Sequence, residues 1–426
     1  MFSRQFIWSC AVVCSAAVFA QVSAGQRDPE ARANAAASIL PVAYVYVSST
    51  PTNSSVNEIV GFVAAANGKL TPLPGSPFNA SVASMAVNGR YLFGSDTDAL
   101  NIDAYRIELN GALSIANQTD VANFNSGDCG YAGPLFLDHT GQSLYVLDYR
   151  GDSCSNNEYQ SLHVMKSKGA LTNIGEGVVD NWLSQPAAFI GNNVYAYYVS
   201  CLGDMYWEVG GTQRSSSGLL SLLPNFSAPL PAPPAGDFWC PSVLATDRGN
   251  HVAIALQPVS GQTFNQDGGP QIGSFTAAGN GNLSTGNTQA DMPVSAVVTA
   301  LSMKISPSGR LLALGGTGGL QIFNFNGAAA PTVASGLLTT DEIDRMFWDN
   351  NQHLYAISKT AGTLHVYTVT QTRHVEAPGS PYDIMAPQDI VVQPSLLGQI
   401  LAASGRANEK FSRTEALDRN QEWRGN

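Results

Sequence analysis

The sequence predicts an all-β fold: a seven-bladed β-propeller with four-stranded blades, its ring closed by the N- and C-terminal strands sharing one blade. Three observations predict it. A hairpin unit recurs six times, a second turn unit follows it at a regular offset, and the two ends of the β-rich region carry complementary unpartnered strands. A chain of 426 residues would ordinarily divide into two or three domains, but a repeat architecture absorbs that length in one closed unit.

The first unit is an apolar strand, a tight polar turn and a second apolar strand. It appears as Ala86-Val87-Asn88-Gly89-Arg90-Tyr91-Leu92-Phe93 and returns around Asp138-His139-Thr140-Gly141, Gly191-Asn192-Asn193, Asp247-Arg248-Gly249-Asn250, Ser306-Pro307-Ser308-Gly309 and Asp349-Asn350-Asn351-Gln352. Gly and Asn admit the positive φ that such turns require. The second unit is an alternating strand ending in a Gly turn before Leu, as in Asn67-Gly68-Lys69-Leu70, Asn110-Gly111-Ala112-Leu113, Lys168-Gly169-Ala170-Leu171, Ser217-Gly218-Leu219-Leu220 and Asn280-Gly281-Asn282-Leu283. Two hairpins per repeat make the four strands of a blade. Tyr44–Val47 is a second strand with no first strand before it, and Ile390–Ser395 is a first strand with no second after it, so together they complete a seventh blade and leave no open edge there.

Outside residues 42–395 the pattern stops. Residues 1–24 read as a signal peptide, with Arg4, an apolar run from Phe6 to Phe19, and small residues around Ala20 and Ala24; the run is short for a membrane span. Residues 25–41 read as a flexible leader, and 396–426 as a polar, disordered tail. The expected location is therefore periplasmic or secreted, and the mature protein is expected to be a monomer without a membrane span. Leu223–Asp237 is Pro-rich and predicts an extended insertion between blades four and five. Only 12% of residues are charged and the net charge is −11, which excludes nucleic acid as a partner. No segment is basic and amphipathic, which argues against an anionic membrane surface.

Pro74-Gly75-Ser76-Pro77-Phe78 after a Gly-x-Leu turn, echoed by Pro378-Gly379-Ser380-Pro381-Tyr382, resembles the lactonase-like seven-bladed propeller family, which includes 6-phosphogluconolactonases and cycloisomerase-type proteins. The resemblance covers about residues 42–395 and implies a ligand site at the central channel. Active members carry Pro-Arg-His on an inner strand and Asn-Glu after the next. Here blade seven reads Ile343-Asp344-Arg345-Met346, keeping the arginine, with Ser358-Lys359 at the second place.

In a propeller the links between blades and the loop after each second strand open on one face, where ligands bind. Cys129 and Cys154 both belong to that face of blade three. Cys201 follows the second strand of blade four and Cys240 precedes the first of blade five. Disulfides Cys129–Cys154 and Cys201–Cys240 are therefore expected, other pairings remaining open. None of the six histidines falls at the channel mouth, so a histidine base or metal site is not expected.

Acids and aromatics do fall on the ligand face. Tyr131, Asp152, Asp204, Tyr206, Trp207, Asp237 and Trp239 are the candidate ligand-binding residues, a set suited to a small polar molecule, a glycan or a protein. Their carboxylates would also suit Ca²⁺, although no cofactor is called for. Arg345, with Asp344 and Asp128, forms the candidate catalytic set, the guanidinium polarising a carbonyl and an acid serving as base. The reading that follows is an exported binding propeller with little or no catalysis; the alternative is an extracytoplasmic lactone hydrolase.

Overall fold

A computed structural model describes residues 41–50, 57–96, 101–121, 128–150, 156–179, 183, 185–202 and 206–395. Its strands form seven antiparallel sheets, one per blade, with the strands of six of them in sequence order. Blade one joins the ends of the ring: Pro41–Ser49 pairs on one side with Glu58–Ala65 and on the other with the closing strand Pro387–Pro394. Blades two to seven begin at Val82, Asp128, Ala188, Asp237, Thr299 and Arg345. The alternation of strand direction places both hairpin turns of every blade at one end of the ring, and the inter-blade links at the other.

Alternating side chains enter the seams on either side of each sheet, as the period of a strand requires. Among the described residues seven apolar clusters form, one per seam. Tyr145, Leu147 and Tyr159 of blade three, for example, meet Phe189, Ala196 and Tyr198 of blade four. Val146, Leu162 and Val164, on the other side of the same sheet, meet Phe93, Ile102 and Ala104 of blade two. Both faces of each blade are thus buried, which is why the strands read as nearly continuous apolar runs.

The recurring Gly-x-Leu turn has a second role beyond turning the chain. Gly281 of blade five has φ +86°, and a Cβ there would lie 2.7 Å from Leu223 and 2.9 Å from the Tyr195 ring of blade four. Tyr197 donates its hydroxyl to the Gly281 carbonyl at 2.8 Å. The same docking joins Tyr46 to Gly111 and Tyr145 to Gly218, each at 2.7 Å. The turn of one blade is therefore a plug received by tyrosines of the blade before it.

Where histidines follow the first hairpin turns, they staple them. His251 Nδ1 lies 2.7 Å from Asp247, and His353 Nδ1 lies 2.7 Å from the buried Asp349, which also accepts from Tyr355. The two Pro-Gly-Ser-Pro segments are architectural as well. Each lets the chain leave the outer edge and rejoin the third strand, and Ser76 and Ser380 accept backbone N–H groups of that strand.

Cys201 and Cys240 form a disulfide, their Cα atoms 5.3 Å apart. Both cysteines lie within strands, Tyr195–Leu202 and Asp237–Thr246, so the bond crosses the seam between blades four and five. Cys129 also lies inside a strand, Asp128–Leu137, rather than ahead of it. The expected partner Cys154 lies outside the described residues. The Pro-rich segment runs between blades four and five without strand pairing, with Phe226, Ala228 and Leu230 packed on their shared cluster.

Candidate functional site

The innermost strands of the blades enclose a channel of about 730 Å³. Its walls are largely apolar, from Met85, Leu135, Met303 and Phe347, with a small set of charged groups gathered on blades six, seven and one. Those groups are Lys304, Arg345, Lys359 and Asp389. Alternation explains their placement. The first strand of a blade lies against the channel, so its residues around the middle of the strand project there when the seam does not claim them.

Asp389 comes from the closing strand. One of its oxygens accepts the Met85 N–H at 2.7 Å and lies 3.4 Å from the Ser84 hydroxyl; the other accepts the Ile390 N–H at 2.9 Å. Its own N–H is donated to Ser48 at 3.0 Å. Enclosure in the channel pushes the Asp389 carboxyl above the usual carboxylate range, against the opposing pull of Arg345, these N–H donors and Lys304. The same enclosure pushes the Lys304 ammonium below its ordinary value, with Arg345 acting in the same direction and Asp389 against it. Lys359 is also lowered, by burial and then by Arg345. Three cations thus share the field of one half-buried carboxylate.

Arg345 donates from Nη1 to the Asp344 carbonyl at 2.9 Å, and among the described residues it forms no ion pair. The Asp344 carboxylate is turned to the loop after the second strand, where it accepts the Lys359 N–H at 2.8 Å. Of the expected catalytic set, then, Arg345 lines the channel and Asp344 braces the neighbouring loop. Asp128 begins the first strand of blade three, and its side chain is outside what the structure describes. The acid that shares the channel with Arg345 is Asp389, and Lys304 and Lys359 join it; sequence reasoning passed over Asp389 and Lys304 and marked Lys359 only as standing where the family has Asn-Glu. They lie in three separate blades with no local motif. The one available signal was that Lys304 and Asp389 interrupt otherwise apolar first strands.

The ligand face of blades three to five is described only in part. Asp152 and Asp204 lie outside the described residues, as do the side chains of Tyr131, Tyr206 and Trp207. Asp237 is half-buried at the start of its strand and donates its N–H to Pro234. Trp239 does not offer a free face: it is buried in the seam between blades four and five, and its indole N–H is donated to the Pro231 carbonyl at 2.9 Å. The Pro-rich segment folds over the indole, so the tryptophan holds that segment down. Of the histidines, His139 borders the channel, but near the hairpin-turn end. Among the described residues no group of three or more His, Cys, Asp or Glu converges as a metal site.

These features define the class. The chain has the fold of the lactonase-like seven-bladed propellers, as comparison with solved structures shows. A periplasmic gluconolactonase of Pseudomonas aeruginosa matches with a TM-score of 0.58 at 16% identity, over 83% of this chain and 99% of that one. Candidate 6-phosphogluconolactonases of Bacteroides uniformis and Bacteroides fragilis match with TM-scores of 0.60 and 0.57 at 13% and 14% identity, each over 83% of this chain and over 100% and 98% of theirs. No family model and no curated protein matches the sequence.

Proposed function

We propose that the protein is an exported lactone hydrolase whose substrate, a small hydroxylated lactone, enters the central channel and leaves as the hydroxy-acid anion. The observation that carries this reading is Arg345, which forms no ion pair among the described residues, set with Lys304 and Lys359 around the half-buried carboxylate of Asp389. A lactone needs a base to activate water and positive charge to hold the developing oxyanion. Asp389, with its raised affinity for a proton, suits the first role. It takes a proton from water as the hydroxide adds to the carbonyl carbon. The oxyanion faces Arg345 and Lys304. Collapse breaks the ring C–O bond, and the leaving alkoxide takes the proton back from Asp389. The new carboxyl group then gives its proton to solvent, and the resulting carboxylate is held by the cations. The names of the structural neighbours favour this chemistry, and the periplasmic gluconolactonase among them, with the Cys201–Cys240 bond, favours an oxidising compartment.

A second reading keeps the channel as a binding site for a carboxylate- or phosphate-bearing molecule without turnover. It is favoured by the replacement of the family's Asn-Glu by Ser358-Lys359, which adds a cation where an acid would stand. One experiment separates the two. Five- and six-membered sugar lactones, with and without a phosphate, are incubated with the full chain and with the Arg345→Ala and Asp389→Asn variants. Turnover lost in both variants supports hydrolysis. Saturable binding of the hydroxy acids without turnover leaves the binding reading. Neither turnover nor binding refutes both.

A further inference from the structure

The two ends of the ring carry opposite charge, a fact that the composition conceals. The turn between the first and second strands and the turn between the third and fourth strands of the blades lie at one end, and the exposed side chains there include Lys69, Arg90, Lys166, Lys168, Arg248 and Arg310. Arg373, in the outer turn of blade seven, is a seventh. Among the described residues none of the seven pairs with a carboxylate, and the acids of these turns are already engaged. Asp138 is buried against Arg214 at 2.9 Å, Asp247 and Asp349 staple histidines, and Glu108 faces Arg106 at 3.9 Å. The opposite end bears Asp120, Asp267, Asp341, Glu342 and Asp383. An even end of short turns, with seven cations that meet no carboxylate among the described residues, therefore faces away from an acidic end of longer loops.

Two apolar side chains stand among those cations. Leu109, at the tip of the outer turn of blade two, is 97% exposed, and Met165, in the neighbouring turn of blade three, is 40% exposed. Both turns are held rigidly from behind, Leu109 by a hydrogen bond from Tyr44 to its carbonyl and the adjoining Lys166 by one from Tyr91. We infer that the hairpin-turn end of the ring docks on an anionic lipid surface, its cations meeting the headgroups and Leu109 entering the interface. A polyanion without an apolar layer would use the cations and leave Leu109 without a role. In this orientation the acidic end is turned away from like charge, and the channel mouth beside Arg345 and Lys359 opens to solvent. Charge segregation is what permits a chain of net charge −11 to be attracted rather than repelled.

The test is sedimentation of the full chain with vesicles of phosphatidylcholine and phosphatidylglycerol, against phosphatidylcholine alone. Binding is expected only with the anionic lipid, weakening as salt rises. Reversal of Lys166, Lys168, Arg248 and Arg310 to Glu is expected to lower the partition on the order of a hundredfold or more, since each cation at such a surface is worth about fivefold. Leu109→Ser is expected to lower it severalfold while leaving retention on a sulfated polysaccharide unchanged. All of these residues are exposed, so unchanged thermal unfolding serves as the control; should the fourfold variant fail to fold, Lys166→Glu with Lys168→Glu gives the same reading. No binding to the anionic vesicles, equal binding by the charge-reversed variant, or retention on sulfated polysaccharide without vesicle binding would each overturn the inference.

Discussion

Replacing Gly281 by Ala tests whether the glycine turns are plugs between blades or merely tight bends, because a control lies two residues away. At Gly281 the backbone is left-handed, and a Cβ would stand 2.7 Å from Leu223 and 2.9 Å from the Tyr195 ring. The left-handed conformation costs an L-residue about 1–2 kcal/mol, and forcing an atom into a packed seam about 1–3 kcal/mol more. The sum is roughly 2–5 kcal/mol. At Gly279, in the same turn, nothing lies within 4 Å of the added atom and no positive φ is required. Ala there is expected to be neutral, or to stabilise by up to about 1 kcal/mol through the unfolded chain. Urea unfolding of the two variants, compared at unchanged m, gives both differences directly. Equal effects at the two positions, or a loss below about 0.5 kcal/mol at Gly281, would refute the docking argument.

Other expectations follow from the same geometry. Tyr197→Phe leaves the buried Gly281 carbonyl without its donor and is expected to cost about 1–3 kcal/mol by urea unfolding, whereas Tyr195→Phe, whose bond to Gly279 is exposed, should cost little. Opening the Cys201–Cys240 bond, which spans 39 residues, is expected to cost about 2–4 kcal/mol, read from the denaturation midpoint with and without reductant. Lactone turnover is expected to rise with pH through the raised Asp389 titration and to fall through the lowered titration of Lys304, earlier than an ordinary lysine would allow; a profile flat across both would remove these groups from the reaction. The raised Asp389 also favours the folded state while protonated. That contribution is complete below the ordinary aspartate pKa and is lost as pH rises through the folded value, so melting of Asp389→Asn should depend less on pH in this window than melting of the natural chain.

How far the sequence could be read differed between scaffold and site, for a physical reason. The blades were legible because turn chemistry is local: Asn88-Gly89 or Asn110-Gly111 announces a hairpin from adjacent residues alone, and the unpaired strands at Tyr44 and Ile390 announce closure. The site was legible only in blade seven, where Asp344-Arg345 and Ser358-Lys359 stand at the places of the family's motifs. Lys304, Lys359 and Asp389 meet only after three blades have been wound into a ring, and no spacing records that meeting. Trp239 illustrates the opposite error. Its acidic neighbour suggested an exposed rim, but whether an aromatic faces solvent depends on what folds over it, here Pro231. The electrostatic polarity of the ring was hidden for a similar reason, since a net charge sums over two ends that never face the same partner.

The closing strand carries more than the last set of backbone hydrogen bonds. Asp389 reaches the channel only when Pro387–Pro394 has paired with Pro41–Ser49, and it is then held by N–H donors from two different blades. A nascent chain that has folded blades two to seven therefore possesses the arginine and the lysines without the acid. The channel becomes chemically complete in the same event that makes the ring mechanically complete, so occupancy of the site reports on closure. A chain that loses its last strand loses the channel's carboxylate with it, so under the proposed hydrolysis it would be silent rather than half-active.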